Sequence, residues 1–185
     1  MQNISLAIIM VLFLVLVSGR YDNAWACLSI TDDLNLPNPT LTADFNLTPD
    51  LDPFTECWSG AIRIRSRDND WRLIATRNGP DPLIQHGNPQ DNITANDITL
   101  KLNLNNFGMT DPNGAILLSP FNTKTKLSSI DSGTFVVSGI EKTGGSCSPN
   151  FANYYKVTNN LCLFKDFVFN IGSYQGEVSY LLVAP

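Results

Sequence analysis

The chain has 185 residues and a formal charge of −5, with 12 basic against 17 acidic residues and one histidine. That length suits a single domain with a real core. The acidic balance excludes a nucleic-acid binder acting through a broad basic surface, and one histidine leaves little for a histidine-built metal centre.

In chain order, the first feature is the apolar run Leu6 to Val17, which contains no charge. A membrane span needs ~20 apolar residues, so a run of this length reads as the hydrophobic part of a signal peptide. Ala24 and Ala26 place small residues at −3 and −1 of a cleavage site, so 1–26 is expected to be removed and the exported protein to begin at Cys27. The run lacks a preceding Lys or Arg, and Ser18 to Asn23 separates it from the site. Cys27 also admits a lipoprotein reading, which the bulky Trp25 at −2 disfavours. No later segment is apolar enough to span a bilayer, so no membrane span is expected.

Residues 27–60 form a polar, acidic stretch punctuated by Pro37, Pro39, Pro49 and Pro53. Prolines cannot donate to a ladder, so Leu28–Ile30 and Leu41–Phe45 can be short edge strands at most. This stretch reads as an N-terminal arm, and 61–185 as the body.

In the body, Ala61 to Arg67 alternates apolar with polar, the pattern of a half-buried strand. Asp68-Asn69-Asp70 is turn chemistry. Trp71 to Arg77 resumes the alternation, with Trp71, Leu73 and Ala75 on one side. The pair predicts an antiparallel hairpin whose wet face carries Arg63, Arg65, Arg67, Arg72 and Arg77. Asn78 to Gln90, rich in Pro and Gly, is loop. Further strands are expected over Ile98–Leu104, Ala115–Leu118, Thr134–Ser138, Tyr154–Val157, Leu161–Asn170 and Glu177–Val183, the last after a Gly172–Gly176 turn. Leu127–Ile130 reads as a short helical turn. No spacing of i, i+3, i+4, i+7 persists, so the fold class is all-β: a single-domain antiparallel sandwich of about 7–9 short strands.

Cys27, Cys57, Cys147 and Cys162 all lie in the exported part, and an even number there favours two disulfides. Three pairings are possible. The expected one joins Cys147 to Cys162 across a loop and Cys27 to Cys57, pinning the arm to the body.

Two stretches resemble the WxL domain, a β-rich cell-surface module of bacteria. One is Arg65 to Leu73, a strand ending in Arg, an Asx turn and Trp71-Arg72-Leu73. The other is Tyr174 to Pro185, where Tyr180-Leu181-Leu182 precedes Ala184-Pro185. Tyr180 stands where the family has a second Trp, and the cysteines lie outside the family pattern. The resemblance implies a non-catalytic domain attached to the cell envelope, with peptidoglycan as ligand and Trp71, Leu73, Tyr180 and Leu182 as structural motif residues.

Catalytic chemistry finds little support. His86 sits in a Gly/Pro loop, and no G-x-S-x-G is present. A glycosidase needs two carboxyl groups ~5–9.5 Å apart, and Glu56, Glu141 and Glu177 are the only glutamates. Asp68-Asn69-Asp70, Asp91-Asn92 and Asn96-Asp97 have the oxygen ligands calcium prefers, but turn formation already accounts for them. Trp58 and Trp71 could stack on sugar rings, although Trp71 shares its face with core residues and Trp58 could pack on a disulfide. No cofactor or metal is expected. The leading expectation is a secreted or cell-surface domain binding an envelope polysaccharide, peptidoglycan or another surface protein. A second is a pilus- or matrix-type subunit assembling by strand addition of the arm; a glycan-acting enzyme comes last.

Overall fold

The computed structural model describes residues 27–34, 36–37, 39–47, 55–67, 70–79, 93–107, 114–140, 152–164 and 172–185. The expected signal peptide, His86 and Cys147 lie outside these residues.

Ten antiparallel strands form among them: β1 (Cys27–Asp32), β2 (Thr40–Leu47), β3 (Thr55–Arg67), β4 (Trp71–Asn78), β5 (Ile98–Phe107), β6 (Ala115–Leu117), β7 (Thr125–Lys126), β8 (Thr134–Gly139), β9 (Tyr154–Phe164) and β10 (Gly172–Val183). A single 3-10 turn covers Leu127–Ile130, where a helical turn is expected from sequence. Two five-stranded sheets result, ordered β1-β3-β9-β5-β7 and β2-β10-β4-β8-β6. The fold is the expected all-β sandwich.

Every odd-numbered strand lies in the first sheet and every even-numbered strand in the second. No two strands adjacent in sequence pair, so the hairpin expected at 61–77 does not exist. β3 pairs with β1 and β9, and β4 pairs with β10 and β8. The reason is burial. Each of these strands has one apolar side, Ile62 and Ile64 on β3 and Trp71, Leu73 and Ala75 on β4, and all five are buried. Crossing between sheets turns those sides toward each other across one core, whereas a flat hairpin would need a third element to cover them.

The Pro-punctuated stretch belongs to the same sandwich. β1 is the edge of the first sheet and β2 the edge of the second, paired with β3 and β10 of the same chain. The 60/61 boundary falls inside β3, which starts at Thr55. Thr31 bridges Pro37 beyond β1, a proline placement that edges tolerate.

Two further differences share one cause, side chains that fit the period of a strand. Gly172–Gly176 is the first half of β10, paired with β2, because Tyr174 and Gly176 continue the inward set of Val178 and Tyr180. Tyr154–Val157 and Leu161 onward are one strand, β9. The intervening Asn159 is buried in the core, where it accepts the Tyr180 hydroxyl hydrogen and donates to Gly60 O. Arg65, expected on a wet face, is buried, its Nη1 donating to Thr31 Oγ1 over 3.4 Å.

The cysteine pairing is also different. Cys57 and Cys162 occupy directly opposed positions on β3 and β9, with Cα atoms 4.1 Å apart, and form a disulfide. The opposed register puts both side chains on one face of the sheet, and the bridge rules out both expected pairs, Cys27–Cys57 and Cys147–Cys162. A second intramolecular bridge has only Cys27 and Cys147 left to join.

Candidate functional site

Alternation along β3, β9 and β5 sends Ile62, Ile64, Tyr155, Val157, Leu161, Ile98, Leu100 and Leu102 into the core. The opposite parity builds the outer face of the first sheet. Register fixes its rows across β3, β9 and β5: Cys57–Cys162–Thr99, Ser59–Asn160–Lys101, Ala61–Thr158–Asn103, then Arg63–Lys156–Asn105. A last row pairs Tyr154 with Phe107. Residues two apart on a strand repeat at ~6.7 Å, so the five rows extend for about 27 Å.

At the far end Phe107, 42% exposed, stacks on Tyr154 with ring centroids 5.0 Å apart and planes 21° apart. The guanidinium carbons of Arg63 and Arg65 lie 5.0 and 5.2 Å from the Tyr154 centroid, cation–π distances. Burial first, and the charge of Arg63 second, lower the Arg65 pKa from its ordinary value, while Tyr154 opposes them. The group stays protonated at any physiological pH.

Asp33, just past β1, accepts from Arg63 Nε and Lys156 Nζ, each at 3.0 Å. The pairs are partly exposed, so they orient the two cations more than they stabilise the fold. Lys101 has no acidic partner among the described residues. In a chain of net charge −5, this face carries four cations, Arg63, Arg65, Lys101 and Lys156, of which Asp33 pairs with Arg63 and Lys156. Between them Asn103, Asn105 and Asn160 offer carboxamides that both donate and accept, and Ser59 and Thr158 offer hydroxyls. An exposed ring beside a ladder of carboxamides and cations is suited to an extended sugar chain bearing carboxylate or phosphate groups.

The tryptophans do not contribute. Trp71 is fully buried on β4, tilted against Tyr155 of the opposing sheet at 5.6 Å, with Leu73 buried beside it. Trp58 is on the inner side of β3, packed on the core and over Gly60, where an added Cβ would lie 2.1 Å from its ring. Successive strand residues face opposite ways, so Trp58 turns away from the Cys57–Cys162 bridge and cannot pack on it. Tyr180 is buried and Leu182 half-buried on the inner side of β10. The four motif residues therefore line the core of the second sheet and do not meet the outer face of the first.

Other candidates are occupied elsewhere. Asp97 accepts from Thr94 N and Thr94 Oγ1 at 2.7 and 2.8 Å, and Asn96 Oδ1 accepts from Ser128 Oγ at 2.7 Å, so this Asx pair shapes its own turn. Asp68, Asn69, Asp91, Asn92 and Glu141 lie outside the described residues. Glu56 Oε1 accepts from Asn46 N at 2.9 Å, and Glu177 faces outward from the second sheet. Among the described residues no group of His, Cys, Asp and Glu could hold a metal ion, and no helix is long and apolar enough to cross a membrane.

Sequence reasoning missed the Phe107–Tyr154 pair. Its one signal was the polar parity of β5 (Asn103, Asn105) and β9 (Lys156, Thr158, Asn160), which marks two wet faces but not that they adjoin. Comparison with protein-family models, curated proteins and solved structures finds no match for the chain, so the face must be interpreted from its own chemistry.

Proposed function

We propose that the protein is an exported, non-catalytic binding module that takes a cell-envelope polymer along the outer face of its first sheet. The observation that carries this is the continuity of that face. The Phe107–Tyr154 stack, with Phe107 as its exposed ring, runs directly into rows of asparagine, hydroxyl and cationic side chains. The stack supplies an apolar platform for a sugar ring, the carboxamides read ring hydroxyls, and Lys101, Lys156 and Arg63 attract acidic substituents. Export follows from the apolar leader ending at Ala24-Trp25-Ala26, and the WxL resemblance supports an envelope polymer as the ligand class.

Binding to purified cell wall and to soluble acidic polysaccharide, by co-sedimentation and calorimetry, tests the reading. Phe107→Ala and Asn105→Ala change exposed side chains, so the fold should persist while affinity falls at least tenfold. Affinity should also weaken as salt rises, because attraction between exposed charges is screened beyond ~8 Å at physiological ionic strength. Full affinity in a folded Phe107→Ala, Asn105→Ala double variant would remove this face as the site.

A further inference from the structure

We infer that the protein forms a two-fold dimer through antiparallel pairing of β6 with β6 of a second copy. β6 is the open edge of the second sheet, paired on one side only, with β8. Its register and the flanking Ile140 N to Gly114 O and Leu118 N to Val136 O bonds show that Gly114, Ile116 and Leu118 turn their main-chain groups to β8. Alternation sends the N–H and C=O of Ala115 and Leu117 the other way. Those outward groups have no partner among the described residues.

Native edges are usually blunted by charge, proline, a bulge or extreme shortness. β1 is flanked by the Thr31–Pro37 bridge, β7 ends in the charged Lys126, and β2 carries Asp44. β6 and β8 contain no charged residue. Self-pairing of β2 would set two Asp44 carboxylates beside one junction; self-pairing of β6 brings no like charges together. The acids on the outer face of this sheet, Asp44 and Glu177, sit on β2 and β10, the two strands farthest from the β6 edge.

The side chains favour the same partner. Ile116, Ile140 and Phe135 are 58%, 67% and 42% exposed, and all belong to the outer side of β6, β8 and the residue that follows β8. Arg72 covers part of the patch, its guanidinium carbon 5.3 Å from the Phe135 centroid. In an antiparallel β6 pair, Ala115 opposes Leu117 of the second copy in reciprocal hydrogen-bonded pairs. Ile116 then opposes its own counterpart at a Cα separation of about 4.5 Å, so two exposed isoleucines cover each other. The Arg72 side chains stand five strand spacings apart, about 24 Å, too far to repel at physiological salt. The two-fold axis runs perpendicular to the sheet, so the outer faces of both first sheets point the same way, an arrangement suited to bivalent contact with a polymer.

Sedimentation velocity on the purified protein from about 1 to 300 μM tests the inference. The expected result is a monomer–dimer equilibrium with no larger species, and amides of Ala115 and Leu117 that become protected from hydrogen exchange only as dimer accumulates. Ile116→Lys places a charge at the two-fold and should weaken dimerisation at least tenfold while leaving the melting temperature of the monomer unchanged. Ala115→Pro removes one outward N–H and should act in the same direction. A protein monomeric at 300 μM, an Ile116→Lys variant that dimerises like the parent, or a ladder of higher oligomers would each overturn the β6 dimer.

Discussion

Two side chains show how single residues set the packing between the sheets. Trp71 opposes Gly139 on β8, and a Cβ built at Gly139 would lie 2.0 Å from the indole ring, so the ring occupies the space that any other residue there would fill. Gly139→Ala should therefore cost ~1–3 kcal/mol by overpacking, and Trp71→Ala ~3–5 kcal/mol by opening a cavity. Trp71→Phe should cost much less than Trp71→Ala, because it keeps a large ring in the core and the buried indole N–H it removes has no acceptor among the described residues. Chemical denaturation of the three variants checks the ranking, and equal losses for Trp71→Phe and Trp71→Ala would contradict it. Tyr180 joins the sheets by a different means, its hydroxyl donating to Asn159 Oδ1 inside the core. Burial raises the Tyr180 pKa far above its ordinary value near 10, and the Asn159 bond opposes this only in part. The raised folded value means that the unfolded chain gives up this proton first. Stability from this group is complete below about pH 10 and falls above it by about 1.4 kcal/mol per pH unit. Tyr180→Phe should lower stability at pH 8 by ~1–3 kcal/mol, by leaving Asn159 Oδ1 without its donor, and should fall less steeply than the parent between pH 10 and 11. Parallel pH profiles for the two proteins would place the titration elsewhere.

At the scale of elements, β10 was legible from sequence as an interior strand because Val178, Tyr180 and Leu182 alternate on one side while the other side is also partly apolar. It pairs with β2 over its first half and with β4 over its second. Removing Tyr180–Pro185 would strip β4 of its partner from Arg72 to Ala75 and delete Tyr180 and Leu182 from the inner side. At ~1.5–3 kcal/mol for each large buried side chain, that loss is a large part of the ~5–15 kcal/mol typical of a domain. Cooperative unfolding should vanish in this deletion, whereas removal of Ala184-Pro185, both exposed and outside β10, should shift the midpoint little. A near-parental melt of the longer deletion, followed by tryptophan emission, would contradict the assignment. One-sided strands such as β3, β4 and β5 were legible for the same reason as β10, since period-2 alternation is local. What each strand pairs with was not. Trp71 to Arg77 reads equally well as the second arm of a hairpin or as the first strand of a facing sheet, and only the shared core decides. The Cys57–Cys162 bridge and the Phe107–Tyr154 stack depend on that non-local pairing, which is why neither could be found from spacing.

For the whole molecule, the alternation of strands between sheets has a consequence for folding. β9 lies between β3 and β5, and β10 between β2 and β4. Without these last two strands the first sheet separates into β1-β3 and β5-β7, the second keeps β4-β8-β6, and β2 has no partner. No sheet can close until the chain is present through β10, and every pairing joins segments distant in sequence, a topology expected to fold in milliseconds to seconds. The polypeptide 27–140 should therefore be unfolded alone, as should 152–185. Mixed, they should regain the near-ultraviolet circular dichroism of the intact protein, because β9 and β10 carry the inward sets Tyr155, Val157, Leu161 and Tyr174, Val178, Tyr180 that complete the core. With Cys27→Ser in the longer piece, the only cysteines left are Cys57 and Cys162, which the native register places opposite each other. Air oxidation should then link the two pieces on a non-reducing gel, and a Cys162→Ser fragment should bind without forming the link. A cooperative melt of 27–140 by itself would show that the core closes without the C-terminal strands, and the interleaved order of the sheets would no longer explain why the whole chain is needed.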